Sequence, residues 1–226
     1  PTWQDEIGCW TWGSESMKTD VIRGDDPEAI VRAVEVLETG GLVAFPTDTV
    51  YGLAAHPDRR RAVVQIYEVK QRSHRSPIAL LLSDEGPLSR VAVLPEAARP
   101  LIRRFWPGGL TLVLPKTEAV SEGISPEPTV GVRVPNLRLA IELIGAAGGL
   151  LAVTSANRSG EPPALTAGEV LEQMEGQIEL VVDGGACWGG VPSTVLDCTV
   201  WPPEILRHGA VPEEAIRATL KRAEAR

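Results

Sequence analysis

Apolar and polar positions change period repeatedly along the chain. Hydrophobic residues recurring every three or four positions predict helices, and short apolar runs bounded by turn residues predict buried strands. Residues 26–41, DPEAIVRAVEVLETGG, have Asp26 as a candidate N-cap, Pro27 in the first turn and glycines at the close, so they predict a helix. GLVAFPTD, 41–48, is a strand stopped by Pro46 that runs into a loop. DRRRAVVQIYEVKQR, 58–72, has helical spacing through Val63, Ile66 and Tyr67, and PIALLLS, 77–83, follows as a buried strand. PEAARPLIRRFW, 95–106, predicts a helix interrupted or kinked at Pro100. LTLVLP, 110–115, and VGVRVP, 130–135, are strands; RLAIELIGAAGG, 138–149, is a helix and LLAVTSA, 150–156, a strand. TAGEVLEQME, 166–175, is a helix capped by Thr166. IELVVDGG, TVLDCT and EILRHG are strands, and PEEAIRATLKRAEAR, 212–226, is a closing helix.

Helices and strands mix along the whole length without a break in composition, which predicts one α/β domain with a mixed sheet. Several strand pairs lack an intervening helix, so a purely parallel, doubly wound sheet is not expected. Residues 1–16, PTWQDEIGCWTWGSES, differ in character. They hold three of the six tryptophans and show no clean period. They are expected to be an atypical extension, either an upstream segment or one foreign to the protein, with a tryptophan-rich docking arm as the rival reading. The domain is then expected over 17–226.

Composition narrows the function. The chain has 226 residues, 43% hydrophobic and 23% charged, with a net charge of −8. Such a charge counts against broad attraction to nucleic acid or an anionic membrane. Cys9, Cys187 and Cys198 are far apart, so neither a disulfide framework nor a zinc site is expected. His56, His74 and His208 lie outside metal-ligand spacing of one another, and no resident metal is expected. No apolar run reaches membrane-spanning length and no signal-peptide pattern opens the chain, so a cytoplasmic location is the default expectation. The phosphate-binding GxxxxGK[ST] and GxGxxG loops and the GxSxG elbow are missing.

The candidate chemistry lies in polar segments at strand ends, where α/β proteins place ligands. PTDTVYGLAA supplies Thr47, Asp48 and Thr49, which also suit a capped turn. KQRSHRSP, 70–77, crowds Lys70, Arg72, His74 and Arg75 into an acidic protein. A solvated loop or a complement to the helix dipole explains part of this cluster, and an anion site explains the rest. Arg133 alternates with Val132 and Val134, and it needs an anion or carboxylate partner unless the strand is a solvated edge. TSANRSG at 154–160, Ser193, Thr194 and Arg207 add hydroxyl, amide and cationic groups. Trp106 reads as core. The inventory suits an anionic substrate and the neutralisation of developing negative charge, with no covalent intermediate.

Taken in order, GGLVAFPTDTVYGLAA, KQR, FWPGGLTLVL, VGVRVP, TSANRSG and STVLD…ILRHGAV resemble the YrdC-type threonylcarbamoyl-AMP synthase family over roughly residues 20–212. The resemblance implies an open twisted α/β sheet around a large basic cavity. It also implies formation of L-threonylcarbamoyladenylate and pyrophosphate from L-threonine, bicarbonate or CO2, and ATP with Mg²⁺, and no tightly bound cofactor. A downstream threonylcarbamoyl transferase would consume the product for tRNA modification, with direct tRNA contact only a weak expectation.

Residue by residue, the resemblance implies catalytic and phosphate-binding roles for Lys70 and Arg72. It implies nucleotide contacts from Ser76, Thr129, Asn157 and Arg207, and L-threonine contacts from Thr49, Arg133, Ser155 and Ser193. Leu81 stands where many relatives have histidine, and Ser73 where proline is common. An RNA-binding or ribosome-assembly module is the alternative, against which the acidic net charge counts. A carbamoyl-adenylate domain of the hydrogenase-maturation kind is a third reading.

Overall fold

The computed structural model describes residues 18–224. The expectation for residues 1–16 and the placement of Cys9 lie outside these described residues. In chain order the elements are β1 (Asp20–Arg23), α1 (Ala29–Glu38), β2 (Val43–Phe45), β3 (Gly52–Ala55), α2 (Arg60–Val69), β4 (Ala79–Leu82) and α3 (Leu88–Val91). After a 3-10 turn at Glu96–Ala98 come α4 (Arg99–Phe105), β5 (Leu110–Pro115), β6 (Thr129–Arg133), α5 (Arg138–Ala146) and β7 (Leu150–Ser155). The chain continues through α6 (Ala167–Met174), β8 (Leu180–Asp183), β9 (Thr194–Asp197), β10 (Glu204–Arg207) and α7 (Glu213–Glu224).

The expected helices and strands are present, with local differences. Asp26 does not cap α1. Its carboxylate accepts from the Glu28 amide at 2.9 Å, which closes a turn before the helix begins at Ala29. Pro100 starts α4 rather than kinking it, because a proline in the first turn gives up no intrahelical bond. Thr166 caps α6 as predicted: its Oγ1 accepts from Glu169 N at 3.2 Å, and the Glu169 carboxylate accepts from Leu165 N at 2.6 Å.

The ten strands form one mixed sheet in the order β1-β8-β2-β3-β7-β4-β6-β5-β9-β10. Strand alternation sends Val43, Phe45, Ala54, Leu81, Leu151, Val153, Leu180 and Val182 to one face, where they form a core with Ala33 and Leu37 of α1 and Ala140, Leu143 and Ile144 of α5. Ala44, Leu53, Leu80, Leu82, Ala152, Val181 and Leu112 point the other way, into a larger core with Val63 and Ile66 of α2, Leu101 and Ile102 of α4 and Val170 of α6.

The first face carries the site. Leu81 pairs with Arg133, Thr111 with Val195 and Val113 with Asp197, so these residues share that side of the sheet. Beneath α1 and α5 the face is packed core. Across β6, β5 and β9 it lines a cavity instead.

The basic octet begins at the end of α2. Lys70 is the C-cap, Gln71 has φ 51°, and the amides of Gln71 and Arg72 donate to the carbonyls of Glu68 (3.0 Å) and Tyr67 (2.9 Å). This is a Schellman close with glutamine where glycine is usual. A left-handed residue bearing Cβ costs roughly 1–2 kcal/mol. Gln71→Gly is therefore expected to raise stability by about 1 kcal/mol, and Gln71→Val to lower it by about as much or more, read from urea unfolding midpoints.

Candidate active site

One cavity of about 470 Å³ opens on the bare part of the sheet. Its inner end is built by the loop between β2 and β3. Pro46 ends pairing, and Thr47 then organises a tight turn. The Thr47 hydroxyl donates to Val50 O at 2.7 Å, accepts from Thr49 N at 3.1 Å and lies 2.9 Å from Thr49 Oγ1. This turn presents Thr49 and Asp48 to Arg133 on β6. The Arg133 guanidinium donates through Nη1 to Thr49 Oγ1 (2.9 Å), through Nη2 to Asp48 Oδ1 (2.5 Å) and through Nε to Gly108 O (2.9 Å). Asp48 also accepts from Asn136 N at 2.9 Å. The ion pair is buried, with side chains 6% and 4% exposed. Three of the five guanidinium N–H bonds are thus used, and two are left for a ligand. Gly189 lies so close above the turn that a Cβ there would meet Asp48 O at 2.2 Å, so only glycine allows that loop to rest on the site.

Two further arginines line the cavity. Arg72 donates from Nη1 to Thr154 Oγ1 at 3.0 Å and from Nη2 to Pro77 O at 3.1 Å. Arg207 donates from Nη2 to Ser193 O at 2.8 Å and Ser193 Oγ at 3.2 Å, and the Ser193 hydroxyl lies 2.8 Å from that of Thr111. Among the described residues neither Arg72 nor Arg207 has a carboxylate within ion-pair distance, whereas Arg133 has Asp48. Burial pushes both guanidinium groups below the ordinary arginine value, and the charge of Arg72 pushes Arg207 down further. Burial also lowers Arg133, Asp48 opposes that, and Arg207 adds to the lowering. Glu127 and Asp197 also line the cavity.

Seven of the residues singled out in the sequence meet in this cavity: Thr49, Arg72, Thr129, Arg133, Ser155, Ser193 and Arg207. Ser76 is outside the lining, and so are Lys70 and Asn157, which are buried behind it. The Lys70 ammonium donates to Ser155 O (2.6 Å), Asn157 O (2.6 Å) and Asn157 Oδ1 (3.3 Å). His74 and Arg75 remain exposed, and His74 stacks on Tyr67 with ring centroids 4.7 Å apart. Sequence reasoning named Asp48 and Thr154 only as members of polar segments, with no partner, and did not single out Thr111. Asp48 stood in a segment already marked as polar, but its pairing with a residue 85 positions away left no local signal. Leu81 lines the cavity as well.

Two predictions follow from these charges. Asp48→Ala leaves a buried guanidinium without its counter-charge and should cost about 3–5 kcal/mol in chemical denaturation. Lys70 is held down to about 7, first by burial and then by the Arg72 charge. The unfolded chain, with lysine near 10.4, binds more protons than the folded one between about pH 7 and pH 10, so stability rises with pH across that window. Urea midpoints over that range should climb in the wild type relative to Lys70→Met. A flat difference would contradict the assignment.

Residues 35–209 match the sequence model of the Sua5/YciO/YrdC family, which bears the description telomere recombination. The threonylcarbamoyl-AMP synthase of Pyrococcus abyssi is 43% identical over 83% of this chain and 56% of its own length. That of Bacillus subtilis is 40% identical over 89% of this chain and 59% of its own length. The chain therefore spans less than three-fifths of each of these relatives. The crystal structure of P. abyssi Sua5 complexed with L-threonine superposes with a TM-score of 0.86 at 42% identity, covering 89% of this chain and 61% of that one. With the family's motifs brought to one cavity on a matching sheet, the chain belongs to the Sua5/YciO/YrdC family.

Proposed function

We propose that this chain forms L-threonylcarbamoyladenylate and pyrophosphate from L-threonine, CO2 or bicarbonate, and ATP. One observation carries the reading. The cavity has a hydroxyl-rich end with a carboxylate-paired arginine and, beside it, two arginines that, among the described residues, have no carboxylate within ion-pair distance. The first end suits the carboxylate and hydroxyl of an amino acid, taken by the two spare N–H bonds of Arg133 and by Thr49, Ser155 and Ser193. The second suits a polyphosphate, which answers the mutual repulsion of Arg72 and Arg207. Relatives named threonylcarbamoyl-AMP synthase, and a matching structure holding L-threonine, support the same assignment.

The chemistry needs positioning more than proton transfer. Threonine's amine adds to CO2 and releases a proton, giving a carbamate. A carbamate oxygen attacks the α-phosphorus of ATP, and the bond to the β-phosphate oxygen breaks, with pyrophosphate leaving with the electron pair. The nucleophile is already an anion, so no general base is required. Arg72 and Arg207 offset charge that builds on the phosphates. Thr129 is assigned to the nucleotide, while Ser76 and Asn157 stand outside the lining and receive no contact. Mg²⁺ enters with ATP as its counter-ion. The product is a reactive mixed anhydride that a threonylcarbamoyl transferase acting on tRNA would consume, in the cytoplasm.

Labelled threonine, bicarbonate and Mg-ATP should yield the carbamic–phosphoric anhydride together with pyrophosphate. ATP turnover that ignores threonine would sink the reading. Arg72→Met and Arg207→Met should each lower kcat/KM for ATP by about 10²–10³-fold, the scale for losing one preorganised charge-stabilising donor.

A further inference from the structure

We propose that Lys70 is a positioning residue whose ammonium holds the end of β7 from behind the cavity wall, while Arg72 alone of the Lys-x-Arg pair meets the ligand. The inference rests on the proposal above that the cavity takes ATP. Its basis is geometric. The Lys70 residue is 2% exposed and absent from the cavity lining. Protonated, below about pH 7, the Lys70 amine has three N–H bonds, and three oxygens already receive them: Ser155 O, Asn157 O and Asn157 Oδ1. No donor is left for a phosphate.

The backbone shows why two residues so close in sequence part company. Gln71 sits between them in the left-handed region, so the chain reverses across it. Arg72 emerges on the cavity side against Thr154, and Lys70 on the inner side against the next residue of the same strand. The attachment is mutual. Ser159 N donates to Lys70 O at 2.9 Å, and the Asn157 amide donates to Arg158 O (2.9 Å) and Glu161 O (2.7 Å). Residues 155–161 are thereby folded around one ammonium. Ser155, which faces the cavity, holds its place through a carbonyl bound to Lys70 on the other side.

Hydrogen–deuterium exchange, pyrophosphate calorimetry and steady-state kinetics on the wild type, Lys70→Met and Arg72→Met, run below pH 7 where Lys70 is charged, decide the matter. In Lys70→Met, amides of 155–161 should exchange about tenfold faster or more, the scale of one lost charge-assisted bond. Its pyrophosphate affinity should stay near wild type, and kcat should fall more than KM for ATP rises. In Arg72→Met, pyrophosphate should bind about 10–100-fold more weakly with exchange at 155–161 unchanged.

Lys70→Gln removes the charge but keeps amide donors. It should fall between wild type and Lys70→Met in exchange, and it serves alone if the methionine variant does not fold. A loss of pyrophosphate affinity in either Lys70 variant on the scale of Arg72→Met overturns the proposal, and so does unchanged exchange. A wild type that binds no pyrophosphate would remove the ATP reading, while the exchange measurement would still decide what Lys70 holds.

Discussion

A guanidinium in the middle of a sheet must have its charge met, and the way Arg133 is met shapes this protein. Burying an arginine without a partner costs several kcal/mol, so the partner has to be held at short range and without freedom to leave. Asp48 fills that role on a turn that Thr47 braces, and the Gly108 carbonyl takes the remaining edge of the fork. The constraint ties β6 to the β2–β3 loop and to the approach to β5. It also explains Gly189, since a loop that seals the turn must approach closer than any side chain allows. The inner end of the cavity is rigid because a charge requires it to be.

The rest of the cavity follows from an uneven covering of one sheet face. The two helices of that face, α1 and α5, bury the apolar residues of β8, β2, β3, β7 and β4. Beyond them the same alternation of side chains continues across β6, β5 and β9, but the positions carry Thr129, Gly131, Arg133, Thr111 and Asp197. Gly131 keeps the floor low: a Cβ there would stand 3.3 Å from Thr111 and 3.6 Å from Ala79. Into this hollow project two arginines whose charges oppose one another and whose hydrogen bonds, among the described residues, all go to neutral oxygens. Such a wall gains free energy when an anion enters, and that gain is available for binding a triphosphate and for stabilising the charge that develops as it reacts.

Much of this was legible in the chain, because element type is written in short-range periodicity. The helix over Val63, Ile66 and Tyr67, the cap at Thr166 and the mixed α/β class follow from spacing and turn residues. Arg133 was marked as needing a partner unless its strand proved a solvated edge, because a charge buried among valines is costly. Local misreadings were partly of boundaries, since Pro100 suits a first helical turn as well as a kink and Asp26 a turn as well as a cap, and the short elements β1, β3 and α3 were not predicted. The family motifs pointed to seven residues that do share the cavity.

Tertiary structure alone decided three things. It chose Asp48 from across 85 residues as the counter-charge of Arg133. It turned His74 and Arg75 out to solvent and brought Lys70 and Arg72 in. It then separated those two, one into the core and one into the cavity, through a single left-handed residue. Sequence by itself determined which segments would be helix, strand or polar rim, since those preferences act between neighbours. Which polar groups face one another, and which face a ligand, depends on strand order and register, and these are set by contacts between residues far apart along the chain.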